Sequence, residues 1–268
     1  MSRILIFLGR YIQAVAAHFV LIIVGCLPRY RAALYESAYQ LGWRSRPPKP
    51  PGEPPLTVPA VDAAALIGRE VSLRLVEPDS ADGNVTGYEL LVISALASKH
   101  GRTACFEIGT FDGRTALNLA ANTPPDCHVF TLDLPSSELG RTGLAIAHGD
   151  ETFINKPTSG ARFHATPYAA RITQLLGDSA SFDYTPYWGK MDLVFVDGSH
   201  SYEYVKADTE TARKLLKPEG GIILWHDYGS PYWKDLTRAL NELQYERGEF
   251  ASMRHIRGTT VVGWVKQG

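Results

Sequence analysis

Glu107, Asp133, Asp178, Asp197 and Asp227 each stand at or just beyond the end of a short apolar run. Each has neighbours suited to binding or catalysis. Gly109 and Gly113 follow Glu107, Ser179 follows Asp178, His200 comes three residues after Asp197, and His226 directly precedes Asp227. The first group reads Glu107-x-Gly109-x-x-x-Gly113 rather than Gly-x-Gly-x-x-Gly. A pyrophosphate loop offers backbone N–H groups to an anion at a helix start. Glu107 and Asp112 instead bring two carboxylates to this loop, which repel a pyrophosphate and suit a ligand with a cationic end, such as an ammonium or a sulfonium. One carboxylate at a strand end is an ordinary cap or turn former. Five in series point to a ligand rim, because ligands of open α/β sheets bind at the carboxyl ends of the strands.

The elements that must position these residues follow from hydrophobic patterning. Strands are expected over Val71–Val76, Thr103–Ile108, His128–Leu132, Ile172–Leu176, Met191–Val196 and Ile222–Trp225. Helices are expected over Tyr88–Ala97, Thr115–Ala121, Ser201–Leu216 and Tyr232–Leu243. Met253–Ile256 and Thr260–Val265 read as a closing antiparallel pair. Met191–Val196 is apolar throughout, as a central parallel strand buried on both faces should be. The alternation of strands and helices predicts an α/β fold with a doubly wound, mostly parallel sheet. Pro135–Ala170 is rich in Gly, Ser, Thr and Pro and too long for a plain connection, so it reads as a lid or binding loop.

Read in order, the chain resembles the class I S-adenosylmethionine-dependent methyltransferases, and is most similar to small-molecule O-methyltransferases of the macrolide-sugar type. The resemblance covers roughly Thr86 to Val265. It is carried above all by Met191-Asp-Leu-Val-Phe-Val-Asp-Gly-Ser-His-Ser-Tyr-Glu-Tyr204 and by Leu216-Lys-Pro-Glu-Gly-Gly-Ile-Ile-Leu-Trp-His-Asp-Tyr228. It implies a seven-stranded Rossmann-like sheet and S-adenosyl-L-methionine as cofactor. Glu107, Gly109 and Gly113 then form the loop around the methionine part. Asp133 accepts the ribose hydroxyls, which as a neutral diol need a bidentate acceptor, and Asp178 with Ser179 receives the adenine.

Methyl transfer from a sulfonium is an in-line displacement, so donor and acceptor must be held close and aligned. A hydroxyl acceptor must also lose a proton. Asp197 and Asp227 could share a hard divalent cation, Mg or Mn, that lowers the acceptor pKa, and His200 could take the proton. Metal-dependent relatives carry an acidic or amide residue where this chain has His226. Imidazole suits manganese, iron or zinc better than magnesium. Three options therefore stay open: a different metal, a His226 that is not a ligand, or no metal. The expected acceptor is a hydroxyl on a small molecule or glycosyl group. N-methylation and a non-catalytic protein that keeps the fold are the alternatives. A nicotinamide dehydrogenase is disfavoured by the missing third glycine and the acidic loop. Tyr168, Tyr184, Tyr187 and Trp188 could line an acceptor pocket or belong to the core.

The 268 residues suffice for one sizeable α/β domain plus an appendage, and hydrophobic residues make up 45%. The net charge of -1 gives no electrostatic reason to expect nucleic acid. Three cysteines, Cys26, Cys105 and Cys127, show no metal or disulfide spacing and read as reduced thiols. Residues 1–45 read as an anchor segment with an apolar helix, 46–60 as a proline-rich linker and 61–268 as the catalytic domain. The apolar stretch between Ile4 and Leu27 is about long enough to cross a bilayer, with a helix on the membrane surface and a signal peptide as rivals. Arginines and a lysine after it place the domain on the cytoplasmic face of a membrane. Without an anchor the chain would be cytoplasmic. Composition leaves the oligomeric state open, a homo-oligomer included.

Overall fold

Apolar alternation puts successive side chains of each central strand on opposite faces of one sheet. In the computed structural model, which describes residues 52–99, 102–246 and 248–267, eight strands and seven α-helices form this architecture. In chain order they are β1 (Ala60–Val61), α1 (Ala63–Ile67), α2 (Gly87–Ser98), β2 (Ala104–Ile108), α3 (Arg114–Asn122), β3 (His128–Asp133), α4 (Glu151–Ile154), α5 (Ala161–His164), β4 (Ile172–Leu176), β5 (Leu193–Val196), α6 (Tyr202–Leu215), β6 (Gly220–Trp225), α7 (Lys234–Tyr245), β7 (Arg254–Ile256) and β8 (Val262–Gln267). Pro54–Gly268 forms one unit.

The strand order is β1-β7-β8-β6-β5-β2-β3-β4. All neighbouring pairs are parallel except those of β8, which runs antiparallel to both β6 and β7. The expected doubly wound, mostly parallel sheet is present, with one strand more than the expected seven. The extra one is the two-residue edge strand Ala60–Val61, which pairs with His255 and Ile256. Phe106, Val194, Val196, Ile223 and Trp225 pack against α6 and α7 through Val205, Ala212, Leu215, Leu236 and Leu240. Cys105, Leu193, Phe195, Ile222 and Leu224 pack on the other face against Leu90, Ile93 and Leu96 of α2 and Ala116, Leu117 and Leu119 of α3.

The strand expected over Val71–Val76 does not form. Two asparagines of α3 stand in for a neighbouring strand instead. Asn118 accepts from Val76 N and donates to Val76 O, and Asn122 does the same for Arg74. Side-chain amides thus satisfy the backbone groups that a ladder would have used. Residues 55–61 lie against the domain. Asn241 donates to Pro55 O and accepts from Thr57 N, and the Tyr228 hydroxyl accepts from Val58 N. No helix of the described residues is long and apolar enough to cross a membrane. The apolar N-terminal helix expected between Ile4 and Leu27 falls outside those residues.

Candidate active site

Because β6, β5, β2, β3 and β4 are consecutive in the sheet, their acidic residues form a spatial row in the order Asp227, Asp197, Glu107, Asp133, Asp178. The winding reverses between β5 and β2, where ligand crevices of such sheets open. Gly109 sits at this switch point with φ 97°, and a Cβ there would lie 2.0 Å from the Asp197 carbonyl oxygen. Gly109 is therefore needed for close approach as well as for positive φ. Gly113 caps α3 with φ 88°, and a Cβ would meet the Phe163 ring at 2.5 Å.

The loop carboxylates play unequal parts. Glu107 is 1% exposed, and its Oε2 accepts from the Thr131 hydroxyl. Burial, and with it the nearby carboxylates of Asp197, Asp133 and Asp112, pushes its pKa well above the usual range, against the Thr131 bond. Asp112, expected to add charge for a cationic ligand, is turned away to structural work. It accepts from Asn84 Nδ2, from Arg114 N and, at 2.7 Å, from Arg162 Nε. Asp133 Oδ1 accepts from Thr110 N at 3.3 Å, and its Oδ2 pairs with Lys156 Nζ at 2.6 Å. Asp178 already takes four donors: Gly143 N, Ser181 Oγ, Ala180 N and the Tyr204 hydroxyl. Burial alone would raise its pKa, but these bonds outweigh it and hold the group below the usual range. The Ser179 carbonyl accepts from the Tyr184 hydroxyl.

At the other end of the row, Asp197, His226 and Asp227 bring one ligand atom each to within 4.8 Å of one another. His226 Nδ1 lies 3.0 Å from Asp197 Oδ1 and 3.3 Å from Asp227 Oδ2. Asp227 adopts φ 62°, a left-handed backbone that aspartate tolerates better than most residues. The other ring nitrogen, Nε2, donates to Glu89 Oε2 at 3.3 Å. Glu89 also closes a capping box with Thr86 at the start of α2 and accepts from Thr260 N and Oγ1. Thr260 Oγ1 in turn accepts from Asp227 N. One buried glutamate therefore braces both His226 and Asp227. Burial opposes ionisation of Glu89, yet the contact with His226 and the Thr260 and Thr86 N–H groups bring its pKa down to about 2. His226 is raised well above its ordinary value: burial works against the charge, and Asp227 and Asp197 outweigh it.

His200 stands beside this trio. Its Nδ1 donates to Asp150 Oδ1 at 2.6 Å, its Nε2 to Asp227 Oδ2 at 3.0 Å, and its ring stacks on Trp233 with centroids 4.1 Å apart. Ser201 caps α6 just after it by accepting from Tyr204 N. Asp150 also accepts from Ser199 Oγ and His200 N. Burial lowers the His200 pKa, but Asp150 and Asp227 more than reverse this and raise it to about 10. The sequence reading missed Glu89 and Asp150. Thr86-x-x-Glu89 is a capping-box signature, which accounts for Glu89 fully and so conceals its second role. Asp150 lies in the long Gly- and Ser-rich segment, where no periodicity marks it. The tyrosines read as either pocket or core residues have partners within the domain. Tyr184 and Tyr187 pack on Phe106 beneath the sheet, and Tyr168 accepts from Arg74.

A family model described as a methyltransferase domain matches residues 106–228. Those residues are a methyltransferase domain. It contains every residue of the rim from Glu107 to Asp227, and Glu89 and Thr260 brace it from either side of the matched stretch. No curated protein matches the chain in sequence. Among solved structures, the domain is similar to an O-methyltransferase of tomaymycin synthesis from Streptomyces achromogenes, in complex with S-adenosylmethionine. Identity is 20%, coverage 80% of this chain and 93% of that one, and the TM-score 0.48. It is also similar to an O-methyltransferase from Bacillus cereus in complex with S-adenosylhomocysteine, at 17% identity, 72% and 84% coverage and a TM-score of 0.46. A third is a Podospora anserina methyltransferase bound to S-adenosylhomocysteine, at 17%, 70%, 81% and 0.49.

Proposed function

We propose that this methyltransferase uses S-adenosyl-L-methionine to methylate a hydroxyl of a small molecule or glycosyl group, with a divalent cation held by Asp197, His226 and Asp227. The observation that carries this is the convergence of those three ligand atoms within 4.8 Å at one end of the carboxylate row. Two carboxylate oxygens and one imidazole form a donor set that suits manganese or iron better than magnesium. His226 fits the role because Glu89 accepts a hydrogen bond from its Nε2 N–H, as carboxylates do behind metal-ligating histidines, which would leave Nδ1 for the cation.

The cofactor fits the rest of the row. The Asp133 carboxylate favours the approach of a sulfonium, while Glu107, whose pKa burial raises well above the usual range, offers hydrogen bonding rather than charge. Gly109 leaves no side chain between the loop and Asp197. Asp133 offers a nearly dry carboxylate to the ribose, and Asp178 and Ser179 supply the adenine end. Asp150 orients the His200 imidazole at Nδ1, and Nε2, which donates to Asp227 Oδ2, would become the proton acceptor once it gives up that proton. A bound cation would lower the pKa of the acceptor hydroxyl and, by neutralising Asp227, would relieve His200 of the charge that keeps it protonated. Trp233 covers one face of the imidazole and keeps water from it.

Calorimetry with S-adenosylmethionine tests the cofactor. Binding that Asp133→Ala weakens supports the assignment, and a folded protein that binds none sinks it. Chelation separates oxygen from nitrogen acceptors, because an amine needs no cation to activate a hydroxyl. Binding without transfer to any acceptor would leave a non-catalytic protein. We further propose that residues 1–45 anchor the domain to a membrane and that the proline-rich stretch after them, up to Pro54 where the domain begins, links it. Removing the residues before Pro47 should then reduce activity on membrane-bound acceptors and spare soluble ones.

A further inference from the structure

The chain between β3 and β4 crosses the rim and fills positions assigned to the ligand. Gly143 N donates to Asp178, Asp150 holds His200, Lys156 pairs with Asp133, and Arg162 ties down Asp112. The Lys156 contact matters most. Its ammonium lies 2.6 Å from Asp133 Oδ2, and the two side chains are only 10% and 9% exposed. Lys156 is pinned from behind as well, donating to Phe153 O at 3.1 Å and standing 6.0 Å from the Phe111 ring centroid.

We propose that Lys156 is a resident cation on the ribose-binding carboxylate, which the cofactor must displace, so that Lys156 sets cofactor affinity. The inference rests on the S-adenosylmethionine reading above. Asp133 Oδ1 is already committed to Thr110 N, so a ribose diol needs the oxygen that Lys156 occupies. A carboxylate this dry requires a partner at all times. Ammonium and diol are interchangeable partners, and the flexible lysine stem allows the exchange. Lys156 follows α4 by two residues, while Asp150 immediately precedes α4. Withdrawal of the lysine therefore pulls on the segment that orients His200, which couples cofactor arrival to the proton acceptor.

Calorimetric titration of the full chain with S-adenosylhomocysteine, before and after Lys156→Met, tests this. The account expects binding about tenfold tighter or more in the variant. Equal or weaker binding by the variant overturns it. Acetylation of the unaltered protein, mapped by mass spectrometry, gives a readout that does not depend on the variant folding. Lys156 should become more reactive when S-adenosylhomocysteine is present, and unchanged or reduced reactivity overturns the proposal. Absence of binding by the unaltered protein overturns the cofactor reading together with this one. Binding by the unaltered protein with no gain in the variant removes only the role of Lys156.

Discussion

Glu89 Oε2 lies 3.3 Å from His226 Nε2, and the carboxylate is 2% exposed. A residue of the first long helix thus accepts a hydrogen bond from a histidine two strands beyond the cofactor loop. Glu89→Gln should weaken manganese binding by about ten- to a hundredfold and cost roughly 3 kcal/mol of stability at pH 7. The folded pKa of Glu89 is depressed to about 2, so its stabilisation is complete above the ordinary value of 4.5 and fades as pH falls towards 2. The stability gap between the two proteins should shrink over that window in urea titrations. A gap that is constant with pH would contradict the ion-pair account.

Gly109→Ala places a methyl group 2.0 Å from the Asp197 carbonyl at a φ of 97°. The loop and the strand end would have to separate. A loss of roughly 2–4 kcal/mol is expected, together with loss of cofactor binding. A variant within about 0.5 kcal/mol of the parent in denaturation would show that the approach is not needed.

His200 owes its raised pKa to Asp150 and Asp227, which overcome its burial. A raised histidine pKa contributes stability in full below 6.5 and loses it as pH rises through about 10. Asp150→Asn removes part of that contribution. Its destabilisation should be largest below pH 6.5 and decline towards pH 10, and turnover should fall by about a hundredfold or more. An unchanged rate would show that Asp150 does not orient the imidazole.

Asp208 on α6 is wholly buried, and burial raises its pKa to about 7 against the opposing contact with the Ser179 side chain. An acid whose folded pKa is raised loses stability as pH climbs from its ordinary value of 3.8, with the full penalty present above 7. Asp208→Asn should therefore gain on the parent by roughly 2–4 kcal/mol between pH 4 and pH 9. Parallel stability curves for the two proteins would refute the raised pKa.

The central strand segments Leu193–Val196 and Ile222–Trp225 were legible because they are buried and read as unbroken apolar runs. Ile172–Leu176 matches its expected bounds, and β5 begins two residues after the expected Met191 because Met191 forms only a bridge to Leu216. The rim residues were legible because strand ends are sequence-local. What the sequence hid is long-range. Asp112 looks like a ligand group until Arg162, 50 residues later, is seen to take it. Asn118 and Asn122 look like helix surface, yet they replace a strand. Asp150 and Lys156 have no local pattern, because only the folded path of their segment brings them to His200 and Asp133.

The most direct test of the account is transfer of a labelled methyl group from S-adenosylmethionine to a panel of hydroxylated acceptors, before and after removal of divalent cations. The account predicts transfer that chelation abolishes and manganese restores, with Asp197→Ala and Asp227→Ala inactive although they still bind cofactor. Transfer that persists after chelation, or that survives in both variants, would contradict a cation at Asp197, His226 and Asp227.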